Sequence, residues 1–273
     1  MGCRAATGDE RGDREVLHQM NIDGRIIVWF SCGAASACAL KLMAPLKPLA
    51  LYCDVSVEED EDNQRFRRDV QEWTGVPIAS IRSKKYKSIE EVFSARKYMS
   101  GVKGAPCTVE MKKVPRFQFQ LPDDIHVLGM TKDEHKRVKR FSEDNHDLHL
   151  LWPLIRAGMS KEDCFTMLSD AGVRRPRMYD LGYKNANCIG CVKSSSPAYW
   201  NLVRKTHPDR FASRCAQSRS IGAKLVKVKK VRIFLDELPP DDNTDLGEDL
   251  SCGPQCSSST AADDEDELDP YEL

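Results

Sequence analysis

The feature that most constrains this chain is an alternation of short, continuous apolar runs with segments of helical spacing. Residues 26–30 (IIVWF), 49–55 (LALYCDV), 77–81 (PIASI) and 124–130 (DIHVLGM) are largely uninterrupted apolar stretches, as expected of strands covered on both faces. Residues 36–43 read as a short helix, ended by Pro45 and Pro48. In the stretch 61–75, Phe66, Val70 and Trp73 recur at helical spacing and Gly75 supplies a stop. Residues 88–99 open with Ser88 and Glu91 in capping-box positions, and 132–144 read as a charged helix. Strands alternating with helices predict an α/β chain on a doubly wound, mainly parallel sheet, and no internal repeat competes with that reading.

Length and charge narrow the rest. A chain of 273 residues suits one such domain with appendages. The expected division is a flexible segment 1–23, a domain over 24–235, and an acidic, cysteine-containing tail over 236–273. Lys plus Arg number 41 against 42 Asp plus Glu, so no overall field points to DNA or a membrane surface. The charge is uneven, however. Residues 219–232 carry six basic groups and no acid, while 263–273 carry seven acids and no base. A solvated face and a disordered tail are the plain readings of these two segments. No apolar run approaches the ~18 to 20 residues of a membrane span. The first residues lack the apolar core of a secretion signal, and Ala6 stands where a myristoylation signal has Ser or Thr. A soluble, cytoplasmic location is expected, in a bacterium or an infected host cell.

Between the first strand and its helix lies Ser31-Cys32-Gly33-Ala34-Ala35-Ser36, six consecutive small residues. In an open parallel sheet, ligands sit beyond the carboxyl ends of the strands. A bare turn there lets a ligand reach the backbone, where the free N–H groups of the next helix attract phosphate or sulfate. Ser31 and Ser36 would add hydroxyls, and Gly33 would allow close approach or a positive φ. The same residues would equally let helix and strand pack closely. The stretch matches neither the dinucleotide fingerprint nor the Walker loop.

Eleven cysteines, an odd number in a chain this long, do not suggest a disulfide framework. Cys188-Ile-Gly-Cys191 is a CxxC in a polar, glycine-containing loop, a spacing that can place two thiolates on one metal. Cys107 precedes Cys188 by eighty intervening residues, and Cys252 and Cys256 lie in another small-residue stretch. Cys3, Cys32, Cys38, Cys53, Cys164 and Cys215 read as core, surface or turn residues.

The strand, the SxGxxS-type turn, the second strand ending at Asp54, and the spacing from Cys107 to the CxxC resemble the phosphoadenosine-phosphosulfate (PAPS) reductase family. That family belongs to the wider PP-loop group of adenine nucleotide α-hydrolases. The segments VWFSCGAASA, LYCDV, KGAPCTVEMKKVPRF, HVLGMTKDEHKRVKRF, WPLI and LGYKNANCIGCVKSSSPAYW are similar to phage-encoded and bacterial proteins labelled as its reductases. The similarity spans about residues 26–235. It implies a Rossmann-like fold with an adenine nucleotide (PAPS, adenylyl sulfate or ATP) in the crevice. Ser31, Gly33 and Ser36 would cradle the anionic end, and Asp54 would border the adenosine. Lys112, Lys113, Arg116 and Arg137 would neutralise the polyanion, although surface solvation would explain each of them as well. A thiol reductant such as thioredoxin is the implied protein partner.

Two departures bear on the reaction. Members that split ATP carry SGGxDS, whose Asp supports a magnesium-bound pyrophosphate; here the aligned residue is Ala35, and Cys32 replaces the first Gly. The turn therefore favours the reductase branch. Iron–sulfur members carry a Cys-Cys pair before the CxxC, whereas Cys107 stands between Pro106 and Thr108. Cys107, Cys188 and Cys191 would then remain as three ligands of a [4Fe–4S] cluster or zinc, as in sulfur-inserting members that hold a cluster on three cysteines, unless Cys252 or Cys256 supplies a fourth. Cys252 has a competing role. Ser251-Cys252-Gly253-Pro254-Gln255 is similar to the Glu-Cys-Gly-Leu-His motif whose cysteine attacks the sulfate sulfur, but it lacks the Glu and the His. The leading expectation is an enzyme performing sulfur chemistry on an adenine sulfonucleotide. The alternatives are an ATP-using sulfurtransferase or nucleic-acid modification enzyme, in which 219–232 would track a nucleic-acid backbone, and a non-catalytic nucleotide-binding module.

Overall fold

The structure, a computed structural model, describes residues 24–101 and 104–247. Its centre is a five-stranded sheet, all parallel, with strands β1 (Ile26–Phe30), β2 (Leu49–Cys53), β3 (Ile78–Ile81), β4 (Ile125–Leu128) and β5 (His149–Leu151) in the order β3-β2-β1-β4-β5. Helices of eight residues or more are labelled here: α1 (Ala34–Met43), α2 (Asp62–Thr74), α3 (Ile89–Arg96), α4 (His135–Asp144), α5 (Lys161–Asp170), α6 (Pro197–Thr206) and α7 (Pro208–Ile221). Strand order reverses between β1 and β4, and the helices change face there. Val28 and Phe30 pack on one face with Leu40 of α1, Phe66 of α2 and Leu168 of α5. Ile27 and Trp29 alternate to the other face, against Phe119 and against Val138 and Phe141 of α4. The doubly wound α/β fold follows from these two covered faces.

The expected elements form with trimmed ends. The first helix begins at Ala34, two residues earlier than its apolar spacing suggests, and α2 stops at Gly75 with φ 71°, the left-handed cap that glycine takes without penalty. Ser88 caps α3 by accepting the Glu91 N–H at 3.2 Å, but Glu91 reaches back to the N–H of Lys87, so only half of the capping box is built. A helical stretch runs over 106–119, with π-helical geometry over Val109–Lys113, and crosses the second face of the sheet.

A second apolar core lies beside the sheet. Ile89, Val92 and Phe93 of α3 meet Met178, Trp200 and Val203 of α6, Phe211 of α7, and Val226 of a small antiparallel hairpin, β6 (Val226–Val228) with β7 (Val231–Ile233). Leu235 and Leu238 close it, and Asn201 ties α6 to the carbonyls of Pro239 and Asp242, both at 2.8 Å. Charged groups join this core to the sheet. Arg210 bonds Glu58 at 3.0 Å and Glu90 at 3.1 Å, while Arg214, 1 % exposed, lies over the Phe93 ring. Burial, aided by proton sharing with Glu90, raises the Glu58 carboxyl to about 8. Among the described residues, no helix is long and apolar enough to cross a membrane.

Candidate functional site

The turn after β1 stands at the carboxyl end of the sheet, where strand order reverses, the position at which open α/β sheets form a crevice. Its six residues alternate: Cys32, Ala34 and Ser36 point inward and are buried, while Ser31, Gly33 and Ala35 are half-exposed. The Ser36 hydroxyl is spent on the turn itself. It donates to the Gly33 carbonyl at 2.9 Å and accepts the Ser31 N–H at 3.1 Å, and the Ser31 hydroxyl leans on it at 3.3 Å. Ser31 and Gly33 are therefore the outward residues at this end of the sheet, and Ser36 braces the turn from within.

Backbone conformation in the turn differs from the sequence expectation. Gly33 takes φ −98° and ψ 157°, extended backbone open to any residue, and the left-handed conformation falls instead on Cys32, with φ 55°. A Cβ added at Gly33 would meet nothing nearer than the Tyr179 hydroxyl at 3.4 Å and the Ser31 hydroxyl at 3.7 Å. Neither conformation nor packing requires glycine there; what the missing side chain leaves open is access to the backbone. Gly33 is also the N-cap of α1, a position that Ser, Thr, Asp or Asn normally fills, and it supplies no side-chain cap. The N–H groups of Ala35 and Ser36 precede the first ladder bond, from Ala37 N to the Gly33 carbonyl at 3.2 Å.

Two residues from distant segments complete the turn. The Tyr179 hydroxyl accepts the Ala34 N–H at 3.3 Å, and its enclosure raises its pKa to about 12 despite backbone hydrogen bonds with Ala34 and Ala186. Gly129, just past β4, packs on the first turn of α1: a Cβ there would lie 2.6 Å from Ser36 N and Cα. This glycine is sterically required.

The next strand contributes Asp54. Its side chain accepts the Ser56 N–H at 3.0 Å and Arg82 Nε at 2.8 Å. Burial opposes its charge, but the bonds from Ser56 and Arg82 prevail and hold the carboxyl below its usual range. Beneath it lies a buried polar cluster. Glu59 accepts from Tyr52 at 2.8 Å and from Asn63 at 2.9 Å, and feels the charge of buried Lys112. Burial nevertheless raises the Glu59 carboxyl, and burial together with Glu59 raises the Cys32 thiol well above its ordinary range. Cys32 is thus a buried turn residue near Lys112 rather than an exposed nucleophile.

The remaining basic residues divide. Arg137 is bonded to Glu134 at 2.6 Å, inside a capping box that begins at Thr131, just after β4 and hence at the crevice end of the sheet. Lys113, half-buried, follows Lys112 on the π-helical segment. Arg116 is 3 % exposed on the second face, with its guanidinium 4.6 Å from the Phe117 ring and its charge felt by His126. His126 itself stacks on Trp29 and accepts Trp29 Nε1 at 3.0 Å; burial, reinforced by Arg116, lowers it to about 4.

The expected metal ligands fall on separate segments, of which the described residues hold Cys107, Cys188 and Cys191. Cys188 and Cys191 flank a turn through Ile189 and Gly190, the latter with φ 70°. Tyr199 holds that turn by accepting the Cys191 N–H at 2.7 Å, and Ile189 N donates to the Glu58 carbonyl at 2.8 Å. Both cysteines line a cavity of about 140 Å³ with Tyr183, Asn185, Asn187 and Tyr199. Cys107 is half-buried against the same apolar core as Cys188. Among the described residues, however, no three Cys, His, Asp or Glu side chains come together as metal ligands. Cys252 and Cys256 lie outside the described residues. The described donors do not amount to a [4Fe–4S] or zinc site, and no chemical step is derived through either.

Tyr179, Gly129, Glu59 and Asn63 escaped the reading of the sequence. Gly129 alone carried a visible signal, a glycine interrupting the end of an apolar strand run; nothing local marks a tyrosine 145 residues from the N–H it meets. The basic segment 219–232 also divides, because Arg219 is bonded to Asp236 and Glu237 while Lys229 and Lys230 turn outward at the hairpin tip.

No protein-family model matches the chain, and no curated protein does. Among solved structures, a crystal structure of phosphoadenylyl-sulfate (PAPS) reductase from Candida auris, in complex with phosphate, aligns with a TM-score of 0.46 and 14 % identity, covering 69 % of this chain and 97 % of that one.

Proposed function

We propose that the chain binds an adenine nucleotide at the carboxyl ends of β1, β2 and β4 and is an enzyme of sulfonucleotide chemistry. The observation that carries this reading is Gly33: a bare helix N-cap in a conformation open to any residue, with room for a side chain it does not have. Such a position favours an anion seated on the N–H groups of Ala35 and Ser36. The left-handed Cys32 beside it is local strain of the kind that collects at ligand sites. Ser31 and Gly33 border the anion, Ser36 braces the turn, Asp54 lies toward the adenosine, and Lys112, Lys113, Arg116 and Arg137 supply positive charge at and behind the crevice. Their ligand class comes from the sequence resemblance to PAPS reductases, and Ala35 in place of an Asp favours a sulfonucleotide over magnesium ATP.

In this reading Cys252 is the nucleophile. Its thiolate attacks the sulfate sulfur, the S–O bond breaks, and the nucleotide leaves with its phosphate oxygen. A thiol reductant of the thioredoxin type then supplies two electrons, releasing sulfite and regenerating the thiol. The test is a screen of PAPS, adenylyl sulfate and ATP with anaerobically purified protein and a dithiol reductant. Sulfite release supports the proposal. Conversion of ATP to AMP and pyrophosphate assigns the chain to an ATP-using reaction instead, and binding without turnover of any of them leaves a nucleotide-binding module.

A further inference from the structure

The basic hairpin near the chain's end has no part in the crevice, and it is built against two local preferences. Its strands, Val226–Val228 and Val231–Ile233, pair antiparallel, and the two residues that join them, Lys229 and Lys230, take φ 47° and 70°. Two left-handed residues in a two-residue loop make a type I′ turn, which Asn-Gly fills readily and two lysines fill under strain. The strands add a second cost, because Lys227 stands directly opposite Arg232, a like-charge pair across the ladder. Alternation places this pair on the outward face, while Val226, Val228 and Ile233 turn to the second apolar core. The ribbon is anchored along its first strand, where Lys227 N donates to the Ser195 carbonyl at 2.8 Å. Arg219, earlier in the same basic segment, is paired with Asp236 and Glu237. Among the described residues, Lys227, Lys229, Lys230 and Arg232 make no such ion pair, although Asp242 feels the charge of Lys229. Cations gathered against both turn and ladder preferences, with no compensating contact inside the fold, point to a partner outside it.

We propose that this hairpin is a binding surface for double-stranded DNA, held through its phosphates. A two-stranded ribbon fits the major groove of B-form DNA, whereas the deep, narrow major groove of an RNA duplex excludes it. Lys229 and Lys230 at the tip, with Lys227 and Arg232 on the outward face, then meet the phosphates that flank the groove. Such contacts give affinity without sequence preference. Single strands fit less well, because they need aromatic faces on which bases can stack. The ring beside the ribbon, Phe234, is already covered by the Arg219 guanidinium at 3.9 Å, with Lys224 at 5.7 Å. With 41 basic residues against 42 acidic ones, the chain has no general attraction for DNA, and binding is confined to this patch.

The experiment titrates the full chain into a short labelled DNA duplex of mixed sequence and follows fluorescence anisotropy at rising salt. Each doubling of salt should weaken binding about tenfold, the dependence expected of about four phosphate contacts. The decisive variant combines Lys229→Asn with Lys230→Gly, which relieves the strain of the turn while removing both charges. It should melt at or above the temperature of the parent chain and bind the duplex at least tenfold more weakly. Lys227→Gln with Arg232→Gln relieves the cross-strand repulsion, should weaken binding to a similar extent, and decides the matter if the turn variant does not fold. An RNA duplex of the same length should bind more weakly than the DNA. The proposal is overturned if the full chain does not bind the duplex at low salt, if the folded variants bind as tightly as the parent, or if RNA binds as tightly as DNA. It is also overturned if a peptide of residues 263–273, with its seven acids, binds more tightly than the duplex, which would assign the face to an acidic polypeptide. Adenine nucleotide affinity should be the same in parent and variants, so failure at the hairpin leaves the crevice reading untouched.

Discussion

The two loops that the sequence marks for chemistry are built in opposite ways. In the Ser31–Ser36 turn the side chains are consumed by the turn: Ser36 bonds Gly33 and Ser31, and Tyr179 is drawn in from far along the chain to meet Ala34. What the turn offers outward is backbone. In the Cys188–Cys191 turn the backbone is consumed, by Tyr199, Glu58 and Ser194, and what lines the cavity is side chain. A backbone site suits an anion that needs several fixed N–H donors. Residue type alone, serines in one loop and cysteines in the other, hints at side-chain chemistry in both; the hydrogen bonds separate them.

The comparison breaks most severely at Gly33. Gly33→Val should lower adenine nucleotide affinity at least a hundredfold, about 2.7 kcal/mol, with little change in melting temperature. The backbone there is extended and a Cβ has space, so the fold tolerates the side chain and the ligand does not. Gly129→Ala reverses the logic. Its Cβ would strike the Ser36 backbone, so a stability loss of about 1–3 kcal/mol, seen by denaturant titration, should accompany weakened binding. A scaffold control comes from His126, away from both loops. Its folded pKa of about 4 lies below the ordinary 6.5, so the unfolded state binds the extra proton as pH falls between them. Stability should therefore drop through that window, by about 1–3 kcal/mol for this group. His126→Gln, which keeps an acceptor for Trp29, should flatten the pH 6.5-to-4 slope relative to the parent chain without altering nucleotide affinity. The smallest effect is expected at Tyr179. Tyr179→Phe leaves the Ala34 N–H unclaimed, so pyrophosphate binding should tighten a few-fold in calorimetry while stability falls by about 1 kcal/mol.

The sheet was legible because its strands are buried on both faces and so read as unbroken apolar runs; IIVWF became β1 at the expected residues. The short strand β5, three residues with only Leu151 buried, left no such run. The hairpin near the chain's end hid inside a basic segment, where Lys227, Lys229 and Lys230 masked the alternation of Val226 and Val228. At the site, the small-residue turn announced itself, but its division of labour did not. That Ser36 faces inward depends on where α1 starts, and α1 starts two residues before its apolar spacing begins. The spacing of Cys107 from the CxxC led to the expectation that the three cysteines converge, and Cys107 does pack against the core that holds Cys188, but eighty intervening residues fix no side-chain direction.

The central claim, that the backbone of the Ser31–Ser36 turn is the anion-binding element, is tested most directly by backbone amide resonances during titration with adenylyl sulfate. Saturable shifts are expected to be largest at Ala35 and Ser36, smaller at Asp54 and Thr131, and absent at Cys188 and Cys191. Saturable shifts centred on the Cys188–Cys191 loop, with Ala35 and Ser36 unmoved, would contradict it.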